Sequence, residues 1–147
     1  MEDHGVDVIK LPRQGVALIV TDLHGNMDDF EKIMEIWEDL STRDKHLILT
    51  GDFIHAMGLE NDNSLEILDQ VRLDCRKFEN FHLLLGNHEW ATITHHSLYK
   101  GGVNQSLNFE ELIKDKYGED WKLKLGEYTN FFKELPVAVK TDNKVFI

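Results

Sequence analysis

The sequence predicts an α/β fold with a mixed, largely parallel sheet in a single domain, and three observations carry that reading. Strand-length apolar runs recur at Gly15–Val20, His46–Thr50 and Phe81–Leu85. The first two are each followed by apolar residues at helical spacing, and strands alternating with helices at these lengths imply right-handed βαβ crossovers. The chain has 147 residues, which suits one domain with a sizeable core.

Val6 to Arg13 is a weak apolar stretch interrupted by Pro12, an edge strand or a lead-in. Gly15–Val20 reads as a buried strand, because parallel strands covered on both faces are continuously apolar. From Met27 to Leu40, the residues Phe30, Ile33, Met34, Trp37 and Leu40 predict a helix. Asn26 is its expected N-cap, with Asp28 and Asp29 at the positive end. His46–Thr50 is the second strand, and a looser stretch with Gly58 and Asn61-Asp62-Asn63 leads into a helix from about Ser64 to Arg76. Phe81–Leu85 is the third strand, running into a short helix around Trp90 to Leu98. After the break at Gly101-Gly102, Phe109, Leu112, Ile113 and Tyr117 predict a helix, and Trp121 to Phe132 another. Pro136–Lys140 and Lys144–Ile147 flank Thr141-Asp142-Asn143, a hairpin signal. Trp37, Trp90 and Trp121 are expected in the core, although Trp90 is close enough to His88 to line a pocket. The last strand stops on Ile147 without a cap or turn, so the domain at 1–147 is expected to be cut on its C-terminal side.

Hydrophobic residues at 41% and charged residues at 29% fit a globular rather than a disordered or fibrous chain. No apolar run approaches the ~20 residues needed to cross a bilayer. The acidic start Met1-Glu2-Asp3-His4-Gly5 is unlike a secretory signal, and Cys75 is the only cysteine. These features lead to the expectation of a cytoplasmic protein without disulfides or a thiolate-rich metal site. The formal net charge of −11 argues against a nucleic-acid-binding surface, which needs Lys and Arg to neutralise phosphates. It leaves room for a phosphate pocket, since bound metal reverses the local sign. The oligomeric state is not readable.

The chemistry gathers where the strands end. The first stops at Thr21-Asp22-Leu23-His24-Gly25, the second at Gly51-Asp52, and the third at Gly86-Asn87-His88-Glu89. These clusters lie about 30 and 35 residues apart, yet adjacent parallel strands bring their carboxyl-end loops side by side, where α/β sheets bind ligands. Carboxylate, imidazole and amide oxygen without sulfur suit divalent Mn, Fe or Zn. Asp22 and His24 can reach one ion, Asp52 can bridge two with its two oxygens, and Asn87 can serve the second. Two such ions, about 3.5–4 Å apart, clamp a phosphoryl group and generate hydroxide at neutral pH.

Asp-x-His-Gly, then Gly-Asp, then Gly-Asn-His-Glu, in this order and spacing, resembles the calcineurin-like metallophosphoesterases. The stretch Phe131–Val139 with Lys144–Ile147 is similar to the region before a His-Gly-Gly motif in their phosphoprotein phosphatase branch. The resemblance covers Val16 to Ile147 and implies the N-terminal part of an α-β-β-α sandwich. It implies a serine/threonine phosphatase-like phosphoester hydrolase with two divalent ions, manganese serving in vitro, and a metal-bound hydroxide as nucleophile. Asp22 and His24 would bind the first metal, Asp52 would bridge, and Asn87 would bind the second and approach the substrate phosphate. His88 would donate a proton to the leaving oxygen, and further ligands would lie beyond Ile147.

The departures from that branch bear on the substrate. Where its pattern after Gly-Asp continues with Asp-Arg-Gly, this chain has Gly51-Asp52-Phe53-Ile54-His55-Ala56-Met57-Gly58. His55 thus replaces the usual carboxylate partner of the catalytic histidine. The arginine of that pattern is absent, and the one before Gly-Asn-His is here Leu85. The bidentate guanidinium grip on phosphate is therefore missing at both points. The phosphorylated substrate is accordingly a phosphoprotein or, on an alternative reading that resembles diadenosine tetraphosphatase, a nucleotide. A non-catalytic binding module that keeps the fold is the competing reading. His55 is a candidate substrate contact or a loop residue packed beside Met57, and Glu89 is expected to give supporting hydrogen bonds. His46 and His82 are expected to be packing or surface residues, and His95-His96 a solvated face.

Overall fold

A computed structural model describes residues 7–56 and 61–147. In chain order the elements are β1 (Val8–Leu11), β2 (Val16–Val20), α1 (Met27–Asp39), β3 (Lys45–Leu49), α2 (Ser64–Lys77), β4 (Phe81–Leu83) and α3 (Asn87–Ile93), then β5 (Tyr99–Lys100), β6 (Val103–Asn104), α4 (Gln105–Tyr117), a 3-10 turn (Gly118–Asp120), α5 (Trp121–Lys133) and β7 (Ala138–Thr141). Val6, Met57 and Gly58 of the sequence reading lie outside the described residues.

The expected parallel sheet is present. Strands β2, β3 and β4 lie in that order, all parallel, with Leu18 beside Leu47 and Leu49 beside Leu83. Helical residues cover one face of this sheet. There Leu47, Leu49, Phe81 and Leu83 join Phe30, Trp37, Leu68, Val71, Phe109, Ile113, Tyr128 and Phe132 in the main core. On the other face Ile48 and Leu84 pack with Leu11 and Val139, so a second parallel pair, β1 with β7, lies against the sheet. Mixed character comes from the antiparallel β5–β6 hairpin and from the return of the chain after β7. In that return Lys140 bridges Phe146, and Val139 and Ile147 exchange backbone hydrogen bonds of 2.9 Å.

The expected helices form with small shifts at their ends. Asn26 caps α1 by accepting from the Asp29 backbone N–H, which satisfies one of the helix's free donors. In α4 the start is Asn104, whose side chain accepts from the Leu107 N–H. Its Phe109 and α5's Tyr128 and Phe132 are completely or almost completely buried. Tyr128 Oη donates to Asp69 on α2 at 2.9 Å, joining the two helices. Removing the Phe132 ring, as in Phe132→Ala, is expected to lower stability by about 3–5 kcal/mol. A reduced urea midpoint would report it.

Three expectations are corrected. β2 is not a buried strand: Val16 and Ile19 are 46% and 47% exposed, because among the described residues only β3 flanks it, whereas Leu47–Leu49 of the central strand are at most 1% exposed. The short helix after β4 starts at Asn87, not near Trp90, because the extended Gly86 is its N-cap and the chain turns helical at once. Finally, Trp90 is 55% exposed; His88, Glu89 and Ala91 take the inward positions of that helix. Trp37 is buried as expected, while Trp121 is half-buried at the edge of the core.

Candidate metal centre

The three strand ends are joined through backbone. His24 N–H donates to the Asp52 carbonyl at 2.8 Å, and Gly25 N–H to the Phe53 carbonyl at 2.9 Å, tying the loop after β2 to the loop after β3. The loop after β3 then lies against the loop after β4, glycine on glycine. A Cβ on Gly51 would collide with the backbone of Gly86, and one on Gly86 with Asp52 and the Glu89 carboxylate. Gly51 also has φ +97°, a region that side-chain-bearing residues rarely adopt. Asp22, His24 and Asp52 have φ of 49°, 45° and 56°. Left-handed backbone at non-glycine residues is uncommon and gathers at functional sites.

This backbone arrangement brings His24, Asp52 and His88 together, with one potential ligand atom from each lying within 4.8 Å of the others. Asp22 is exposed, its Oδ1 4.0 Å from His24 Nε2. His24 Nδ1 lies 3.3 Å from the Ile54 carbonyl, a contact that places the ring proton on Nδ1 and leaves Nε2 as a lone pair toward Asp22. Asp52 Oδ1 accepts from the His88 backbone N–H at 3.0 Å. Asn87 is the exposed first residue of α3. Asp22 and His24 line a cleft of about 790 Å³ that runs past Asp28 and Asp29 to Asn61 and Asn63; Asp52 and His88 are buried beside it. A carboxylate–imidazole set without sulfur fits a hard or borderline divalent ion.

Beneath these groups lies a buried polar layer. Glu89 is fully buried and accepts from the Asp52 N–H at 2.8 Å and the Phe53 N–H at 2.9 Å, so one carboxylate holds the turn that presents Asp52. Burial pushes the Glu89 carboxyl up to about 7, even though those hydrogen bonds favour its ionised form. His55 is 2% exposed and is not among the residues lining that cleft. Its Nδ1 sits 2.8 Å from His88 Nδ1. Burial, then the neighbouring His88 and His24, push its pKa down to about 3. His88 is lowered too, chiefly by burial, with Asp52 opposing.

Gln105 was not foreseen. Its amide lies 3.2 Å from the Ala56 carbonyl and 3.5 Å from that of His55, and no local sequence signal marks a residue about 50 positions away as the support of this loop. His46 and His82 contact one another at 2.9 Å across β3 and β4, outside the cluster. His95 and His96 are exposed.

A parallel α/β sheet with imidazole and carboxylate donors gathered at its carboxyl-end loops defines an α/β domain with a candidate metal centre. The chain belongs to the calcineurin-like phosphoesterase family, whose model matches residues 16–147. It is 26% identical over 146 residues to a protein of Encephalitozoon cuniculi named as a probable serine/threonine-protein phosphatase, a match covering 96% of this chain and 27% of that one. Among solved structures it resembles a Saccharomyces cerevisiae protein serine/threonine phosphatase described as similar to human phosphatase PP5. That likeness has a TM-score of 0.59 at 18% identity, over 95% of this chain and 40% of the other. A protein assigned as a diadenosine tetraphosphatase matches with a TM-score of 0.52 at 15% identity, over 93% of this chain and 50% of that one. At such identities the structural likenesses establish the fold alone. The chain thus spans about a quarter of the curated relative and half or less of these structures.

Proposed function

We propose that the chain supplies the N-terminal part of a dinuclear-metal phosphoester hydrolase of the serine/threonine phosphatase-like kind. The observation that carries this reading is the convergence of His24, Asp52 and His88 within 4.8 Å, with Asp22 beside His24. Asp22 and His24 would hold one ion, Asp52 would be shared, and Asn87 would serve the second, with further ligands from beyond Ile147. Divalent ions in such a centre polarise phosphoryl oxygens and make water acidic enough to attack at neutral pH. The chain's own residues do the rest. Ile54 fixes the His24 ring, Glu89 fixes the Asp52 turn, and His88 donates toward the leaving oxygen.

The nucleotide-directed alternative draws support from one structural observation. Ala56, which follows His55 where the phosphatase branch has arginine after its aspartate, lines the cleft, and among the described residues no arginine does. The discriminating experiment supplies p-nitrophenyl phosphate, a phosphoserine peptide and diadenosine tetraphosphate to the full-length protein, with and without manganese. Manganese-dependent hydrolysis of the first two is expected; no metal-dependent turnover on any of the three would sink the proposal. Preference for the dinucleotide would select the alternative. His88→Ala is expected to lower kcat by roughly 10²–10⁴-fold, the usual weight of a general acid, while manganese affinity by calorimetry stays near wild type.

A further inference from the structure

Two imidazoles in contact through nitrogen must divide the donor and acceptor roles between them, and the surroundings of His55 and His88 decide how. The contact is Nδ1 to Nδ1 at 2.8 Å, and it is buried. The other nitrogen of His55, Nε2, is also buried and has no hydrogen-bond partner among the described residues. If His55 accepted at Nδ1, its proton would have to sit on Nε2, leaving a buried N–H without an acceptor. Orphaned buried N–H groups are rarer and costlier than an unused lone pair. A doubly protonated His55 would add an unpaired buried charge to the same orphaned donor.

The ring cannot readily escape this arrangement. Phe109 meets it edge-on at 5.5 Å, and Gln105 from α4 holds the backbone carbonyls of His55 and Ala56. Turning the imidazole over would remove Nδ1 from His88.

We infer that His55 is a positioning residue that donates its Nδ1–H to His88 Nδ1 and thereby fixes His88 as the Nε2–H tautomer. This rests on the hydrolase reading above only for its consequence, not for its geometry. With its proton on Nε2 and its Nδ1 lone pair already engaged, His88 has no lone pair to offer a metal ion, although it lies among residues that could bind one. It can instead donate a hydrogen bond to a phosphoryl or leaving oxygen. An acceptor-only carboxylate at position 55 would instead draw a proton to Nδ1. The residue at 55 thus sets which nitrogen of neutral His88 carries its proton.

The test is a long-range ¹H–¹⁵N spectrum of the full-length protein carrying ¹⁵N-histidine, with His88 assigned from its loss in His88→Ala. At neutral pH the expected result is a protonated Nε2 and an unprotonated Nδ1 on His88. After loading with ¹¹³Cd as the probe metal, His24 is expected to gain a ¹¹³Cd–¹⁵N coupling and His88 none. A proton on His88 Nδ1, or a coupling from ¹¹³Cd to His88, would overturn the inference. His55→Asp is expected to place a proton on His88 Nδ1, because a carboxylate there can only accept. An unchanged tautomer in that folded variant would equally count against it. Should it not fold, the wild-type spectrum decides alone. Loss of the hydrolase reading would show as absent turnover with the Nε2–H tautomer intact, so the two ideas fail separately.

Discussion

Asp52→Asn is expected to abolish metal-dependent phosphoester hydrolysis, with a fall well beyond the 10–100-fold typical of residues that only support a ligand. The substitution is nearly isosteric. An asparagine Oδ1 can still accept from the His88 N–H, as the aspartate does at 3.0 Å, so the loop after β3 should keep its shape. What disappears is the negative charge and one strong oxygen donor at the centre of the cluster with His24 and His88. Manganese affinity by calorimetry should fall together with kcat, while the urea midpoint of metal-free protein moves little. A variant that retained near-wild-type turnover would refute a metal-bridging role for Asp52.

Glu89→Gln should also lower activity, by less than Asp52→Asn and for a different reason. The carboxylate accepts two backbone N–H groups, from Asp52 and Phe53, and an amide has only one oxygen to offer. Its NH₂ would face one of those donors, leaving a buried N–H unsatisfied at a cost of about 1–3 kcal/mol. Displacement of the Asp52 turn should lower activity roughly 10–100-fold, as for other supporting groups.

The same residue gives a pH signature. Glu89 titrates near 7 in the folded chain against 4.5 for an ordinary carboxyl. Between those values the folded protein binds a proton that the unfolded one has lost. Its contribution to stability is therefore full below about 4.5, declines as pH rises to about 7 and is flat above, a total on the order of 3 kcal/mol. Urea denaturation of chelator-treated protein across that range should show the decline, superimposed on ordinary carboxylate titration, and Glu89→Gln should lack it.

The residues after each strand were readable because the chemistry sits in consecutive positions, Asp22 to Gly25, Gly51-Asp52 and Gly86 to Glu89. The helices were readable because α1, α2, α4 and α5 each carry an apolar stripe that packs on the sheet or on one another. Periodicity reports that a face is buried, not what buries it. For that reason β2, continuously apolar, could not be told from a central strand, and nothing local announced that Val8 would pair with Ala138. Trp90 was misplaced by the same limit: a large ring beside a buried histidine points outward because α3 spends its inner face on His88, Glu89 and Ala91. The Glu89 clamp and the Gln105 contact are three-dimensional bonds between residues about 35 to 50 positions apart. A supporting role for Glu89 could be expected from its motif, but sequence spacing names neither its partners nor Gln105.

The contact between Gly51 and Gly86 separates the accuracy of the centre from the quality of the core. Because main chain meets main chain there, the offset between Asp52 and His88 is set by atoms that every residue shares, not by side chains that drift as a protein evolves. Substitutions among Leu47, Leu83 and their neighbours can loosen the molecule without widening that offset. Conversely, a single methyl at either glycine would spoil the centre in an otherwise well-folded chain. Stability and chemistry in this protein are therefore expected to respond to different sets of mutations.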